Sequence, residues 1–233
     1  QTGAGNKGGN LVMVGGSNSA YDDHGVVLSS DASVAASSSI TVNSGSSSLS
    51  NSGRLSLTTG RAEVHSGAID VQVGSAMDGA GSVNVGAGDS TMASGGAVTI
   101  QSGAGQISGG SVLVKSGVGA SSGSVELSSG SALNGASGGI DIRSGSSQTG
   151  STGTISVESG SGSSGIGGAV NIVTGATSNS ESGHLMLKTG LSGVQSGAGV
   201  ITTGDSLGPS GKLEIGTGTS IEESGNVAIA TGD

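Results

Sequence analysis

The sequence predicts an all-β fold: a parallel β-solenoid (β-helix or β-roll) of about 16 repeats, each 14–15 residues long. Three observations predict it. First, one motif recurs along the chain: Gly, any, apolar, any, apolar, any, Ser/Thr, Gly. Second, its closing glycines fall at 45, 60, 74, 88, 103, 117, 130, 145, 160, 175, 190, 204, 218 and 232, so that successive gaps are 13 to 15 residues. Third, the two apolar positions stand two apart with polar residues between them. That is the period of a strand with one covered face.

The clean copies are Gly53–Gly60 (GRLSLTTG), Gly96–Gly103 (GAVTIQSG), Gly110–Gly117 (GSVLVKSG), Gly123–Gly130 (GSVELSSG), Gly153–Gly160 (GTISVESG), Gly168–Gly175 (GAVNIVTG) and Gly183–Gly190 (GHLMLKTG). Weaker copies run from Gly9 to Gly16 and around Val27. In Gly110–Gly117, parity turns Val112 and Val114 inward and Leu113 and Lys115 outward, with Ser116 inward at the end. A helix is excluded, because Gly and Ser at this density cost it roughly 0.5–1 kcal/mol per residue. In a solenoid each coil would stack on the last at about 4.8 Å, and sixteen coils would make a rod of about 75 Å.

The linking segments read as a second, weaker strand. Arg61–Gly67 places Ala62, Val64 and Ser66 on one face, and Leu191–Gly197 places Val194 and Ser196 alike. Met77, Met92, Ile107, Leu133, Leu207 and Ile221 fill the same slot elsewhere. A coil then has two sides of about seven residues, with Gly at the corners where positive φ is needed. A 28–29-residue coil of two repeats is the alternative. Segments 146–152 and 176–182 lack a large apolar residue, which suggests a two-copy period. In the short coil Arg143 stacks beside Glu158, a favourable pair, but Glu126 stacks beside Asp141. The short coil is favoured. It makes residues 1–233 one continuous β-solenoid, expected to be a segment of a longer repetitive chain or of a stacked filament.

Composition agrees with a thin interior. Of 233 residues 50 are Gly, one is Pro, none is Cys, Phe or Trp, and Tyr21 is the one aromatic residue. A domain of this length normally fills its core with larger side chains. No disulfide and no Cys-ligated zinc is possible. Collagen is excluded, because Gly keeps no triplet period. Seven Lys+Arg against sixteen Asp+Glu repel a phosphate backbone, so nucleic acid is not an expected partner. No apolar run approaches the roughly 20 residues of a membrane span. The start at Gln1-Thr2-Gly3 reads as cut from something longer. There is no N-linked glycosylation sequon, while the many Ser residues are possible carriers of O-linked glycans.

The thin Val-Ser-Gly coil without Cys resembles the β-roll antifreeze proteins of grasses. The Gly-x-Val-x-Val/Leu-x-Ser/Thr-Gly units are also similar to Gly/Ser-rich repeats of phage tail fibres and of large algal surface proteins. The resemblance covers nearly the whole chain and is one of composition. It implies the solenoid fold and, for the antifreeze proteins, a flat outward rank of Thr, Ser or Val. Here the outward column reads Thr41, Ser56, Asp70, Asn84, Thr99, Leu113, Glu126, Asp141, Ser156, Asn171, Met186, which charges and bulky side chains interrupt.

One ladder is regular. The residue before the closing Gly is Ser102, Ser116, Ser129, Ser144, Ser159, Thr174, Thr189, Thr203, Thr217 and Thr231 in ten successive copies. By parity it faces inward as a hydrogen-bonding corner ladder. A water-ordering rank is the functional alternative, and it needs that parity to break.

Little else carries chemistry. Tyr21-Asp22-Asp23-His24 combines two carboxylates and an imidazole, but adjacent residues do not converge easily on one cation, and an acidic loop is the expected role. His65, His184 and the pair Glu222-Glu223 read as solvated. Lys115, Asp141, Arg143 and Glu158 read as a surface ladder of ion pairs rather than a catalytic groove. No catalytic, cofactor-binding or metal-binding residue is assigned, no cofactor is implied, and the chain is read as no enzyme.

The expected function is that of a non-enzymatic structural protein: a rod-like repeat segment of an extracellular or surface fibre or filament. It would self-associate end to end or laterally. Outward Val12, Val14, Leu113, Val173, Met186 and Val200 are the residues for lateral packing. Ice binding is the alternative. A surface adhesin is the second, disfavoured because sugars usually stack on aromatic rings.

Overall fold

A bend starts two or three residues after every closing glycine from Gly45 to Gly218. The bends fall at 48–50, 63–64, 77–78, 91–93, 106–107, 119–121, 133–135, 148–150, 163–165, 178–180, 193–194, 207–208 and 221–222. The computed structural model describes residues 11–15, 25–30 and 37–232. Among these there is neither helix nor strand. The expected β-solenoid is therefore not what the chain forms, in the 14–15-residue coil or in the 28–29-residue one, and β-helix and β-roll do not describe it. The chain is a tandem array of motif segments joined by short bent links. Two units are distinguished, Gln1–Val114 and Lys115–Asp233, and each carries the same segment-and-link pattern.

The links have a local cause in the sequence. The residue two after the closing Gly is Ser47, Ser90, Ser147, Thr177, Ser192, Ser206 or Ser220 in seven copies. Each hydroxyl accepts a backbone N–H two or three residues on: Ser50 N at 3.1 Å from Ser47, Ala93 N at 3.0 Å from Ser90, and Gly150 N at 2.9 Å from Ser147. Asn179 N reaches Thr177, Gly208 N reaches Ser206, and Glu222 N reaches Ser220, at 3.4, 3.1 and 3.1 Å. Ser192 accepts from both Val194 and Gln195, at 3.2 Å each. These are local hydroxyl-to-backbone turns, in which the side chain supplies the acceptor the bend needs. Gly105 holds the same slot in its copy, where a Cβ would drive into the Ser108 carbonyl oxygen. The expected second strand at 61–67 and 191–197 is thus a bend.

Positive φ occurs inside the links and not at the predicted corners. Gly79, Gly135 and Gly165 have φ of 143, 100 and 91°, and each stands five residues after a closing glycine. No closing glycine among the described residues has positive φ. A Cβ on any closing glycine among the described residues would meet nothing within 4 Å, and it is the opening glycines that make the close approach. The link doubles back so that the next motif's opening glycine lies against the ladder residue. A Cβ on Gly53 would sit 3.5 Å from the Ser44 Cβ, on Gly110 3.3 Å from Ser102, on Gly168 3.1 Å from Ser159, and on Gly183 3.5 Å from Thr174. The same contact recurs in twelve links, with Gly197 the exception between Gly53 and Gly225. Three bases are also joined by backbone: Gly96 N to Gly88 O and Gly110 N to Gly103 O at 2.9 Å, and Gly183 N to Gly175 O at 3.4 Å. Small size at both sides of the base, glycine against Ser, Thr, Ala or Val, permits the approach.

No core forms around the apolar alternation. No side chain among the described residues is buried. The surface of 23707 Å² compares with about 9,000 Å² for a folded globule of this mass and about 31,000 Å² for the unfolded chain. The alternation still leaves a trace. The first apolar position of the motif, from Ile40 to Val227, is 49–59% exposed wherever it holds an apolar residue (Gly199 occupies it in one copy), while the second, from Val42 to Ile229, is 61–92% exposed. Apolar residues in the links, such as Met77, Ile107, Leu133 and Ile221, are fully exposed. Two aliphatic side chains per copy do not by themselves offset the ordering of 14–15 residues at about 1–2 kcal/mol each, and glycine loses the most freedom of all.

Candidate functional site

The residues singled out as chemically capable do not converge. His65, His184, Glu222 and Glu223 are exposed. Among the described residues no three His, Asp or Glu side chains come together as a metal site. Tyr21-Asp22-Asp23-His24 lies outside the described residues. Three of the four charged residues expected to form one ladder, Asp141, Arg143 and Glu158, have partners within their own segments. Arg143 pairs with Asp141 of its own segment, its Nε donating to Oδ1 at 2.7 Å. Glu158 accepts from the Ser156 hydroxyl at 2.5 Å. The expected Arg143–Glu158 neighbour relation across copies is not formed. Lys212 and Glu214 repeat the pattern, with Nζ to Oε2 at 2.7 Å. Each pair is i, i+2, which puts both groups on one side of an extended segment. Both pairs are solvated, and such pairs contribute about 0–1 kcal/mol.

The covered positions are the small ones. Within residues 37–232 the half-buried residues are Ser102, Ser116 and Thr174, all of them in the hydroxyl ladder. Val73, which holds the ladder position in its copy, is the least exposed of the large apolar residues at 39%. The ladder residues back onto opening glycines rather than forming a flat outward rank. Where a ladder residue is half-covered, the base of the link is what covers it. The signal that identifies the link was present in the sequence: glycine also recurs seven residues before each closing glycine, from Gly53 to Gly225.

Two open hollows lie next to each other around the link that is not closed. One, of about 420 Å³, is lined by Lys188, Thr189, Leu191, Ser192, Val194 and Gln195 among others. A second, of about 640 Å³, lies between Leu187–Thr189 and Gly199–Ile201. Lys188 is the one charged group in either lining. Neither collects an acid–base pair or a nucleophile with its base, which acyl transfer or hydrolysis would require. No helix among the described residues is long and apolar enough to cross a membrane. No protein family, curated protein or solved structure matches this chain.

Proposed function

We propose that the chain is a non-enzymatic structural repeat segment of an extracellular or surface fibre, and that it works by associating with copies of itself. One observation carries this reading: from Ile40 and Val42 to Val227 and Ile229 the copies leave an apolar pair exposed at the same phase, except Gly197–Gly204, where Gly199 holds the first position of the pair. A repeated half-covered apolar face in one chain meets its match most readily in a second copy, which carries the same period. Burial of a Val, Ile or Leu side chain contributes about 1.5–3 kcal/mol, so many weak contacts of one spacing add up along paired chains. The polar positions between, with their short-range ion pairs and hydroxyls, keep the surface hydrated. Val12, Val14, Leu113, Val173, Met186 and Val200, the outward apolar residues, are all exposed and available to lateral contacts. Extracellular or surface placement follows from that role. Some exposed Ser residues are then suited to O-linked glycans.

Sedimentation velocity over a wide concentration range, with electron microscopy of the most concentrated sample, tests the reading. Concentration-dependent growth into filaments or bundles is expected. A monomer at every concentration would overturn it.

A further inference from the structure

We propose that the links are release elements: tension along the chain opens the base between ladder residue and opening glycine, and the link lengthens the chain before any covalent strain arises. The inference takes from the fibre reading only its setting, a chain that carries load. It stands on the links themselves. At twelve bases, from Ser44–Gly53 to Thr217–Gly225, a Cβ added to the opening glycine would sit 3.1–3.9 Å from the ladder residue, and three of these bases also have one backbone hydrogen bond. The chain enters and leaves each link at its base, so a pull on the chain loads that contact directly. Nothing else among the described residues braces the base, because the remaining hydrogen bonds run within a bend or between residues i and i+2 of a segment.

The length stored is considerable. Ladder residue and opening glycine are seven to nine residues apart, as in Ser116–Gly123, Ser102–Gly110 and Ser144–Gly153. At about 3.3–3.6 Å per residue, and with about 5 Å between the backbones at the closed base, opening one link frees about 20–25 Å. Twelve links hold about 240–300 Å in reserve by the same measure. Reclosure is easy, because loops this short carry a small closure entropy and close in about 10–100 ns. The opening glycines are the pieces that make the device. At the tightest of them, Gly81, Gly96, Gly110 and Gly168, a Cβ would already sit 3.1–3.3 Å from the ladder residue, so a branched side chain there holds the base apart.

The test holds single full-length chains by their termini in magnetic tweezers. Three proteins are compared: the natural sequence, the triple variant Gly96→Val, Gly110→Val, Gly168→Val, and the single variant Gly197→Val at the link that is already open. Just below the force that opens the natural links, the triple variant is expected to be longer by about 60–75 Å, three links' worth. The curves should merge at high force, and Gly197→Val should follow the natural chain throughout. Coincidence of the triple variant with the natural chain at every force overturns the proposal. So does an equal lengthening per substitution by Gly197→Val, which would trace the effect to valine stiffening alone. The measurement is made on isolated chains, so a failure to form fibres leaves its outcome untouched.

Discussion

The links Gly103–Gly110 and Gly190–Gly197 have the same length and differ in closure. In the first, Gly110 N donates to Gly103 O at 2.9 Å, and a Cβ on Gly110 would sit 3.3 Å from Ser102, which is half-buried. In the second, nothing lies within 4 Å of a Cβ on Gly197, Thr189 is exposed, and a hollow of about 420 Å³ occupies the link. Length alone therefore does not close a link. The closed one reaches its base through Gly109-Gly110, and the other double-glycine bases, Gly95-Gly96 and Gly167-Gly168, are equally tight at 3.2 and 3.1 Å. The open one arrives through Ser196, and its bend is pinned within itself by the two bonds to Ser192. Arrival through a residue with a Cβ does not by itself keep a link open, since Gly81 follows Ala80 with a Cβ distance of 3.3 Å and Gly183 follows Ser182 at 3.5 Å.

Four measurements sharpen or break that comparison. The largest effect is expected from Gly105→Ala, whose methyl group meets the Ser108 carbonyl oxygen and forces the 106–107 bend to rearrange. Backbone chemical shifts of residues 104–110 should move together, and unchanged shifts would show that the bend is not set by Gly105. Next, Gly110→Val should abolish the slowing of amide exchange at residue 110. A base hydrogen bond contributes about 0.5–1.5 kcal/mol, so natural Gly110 should exchange about 3–10 times more slowly than Gly197, and the variant should lose that margin. Third, Ser147→Ala removes one local acceptor and should loosen the 148–150 bend, read as faster exchange of the Gly150 amide by a few-fold. Gly150 exchange that stays the same in the variant would assign the bend to the backbone alone. The smallest effect belongs to Asp141→Asn. The Asp141–Arg143 pair is exposed and confined to one segment, so both links that flank it should keep their exchange rates within error, in low and in high salt.

Much of this was legible in the sequence, and the legible part was local. The spacing of Gly45, Gly60, Gly74 and their successors marks every bend, because each link begins at a closing glycine. The alternation Ile140-Asp141-Ile142-Arg143 predicted an inward apolar face, and both isoleucines are instead exposed. The charged pair meets on one side, and Ile140 is the more covered of the two isoleucines. The ladder was expected to face inward along its whole length, but only Ser102, Ser116 and Thr174 are half-buried, and Ser129, Ser144, Ser159, Thr189, Thr203, Thr217 and Thr231 are exposed. The partner of that ladder was misread. Ser102 was expected beside the same position in the next coil, and it lies instead against Gly110. His65 and His184 were expected to be solvated, and they are exposed. Leu133 and Ile221 were assigned to a second strand face, and they project from bends.

The sequence by itself determined the period, the polarity of each segment and the places where the chain turns, because those depend on residues one to three apart. Which segment pairs with which was decided only by the tertiary structure. Alternation says that one face is apolar and leaves open what will cover it. Here the contact that forms is the one seven to nine residues on, since a short loop costs little entropy and a glycine–hydroxyl base needs no large side chain. Stacking whole copies would order every residue between them around two aliphatic groups per repeat, and the apolar faces are left to solvent in the single chain.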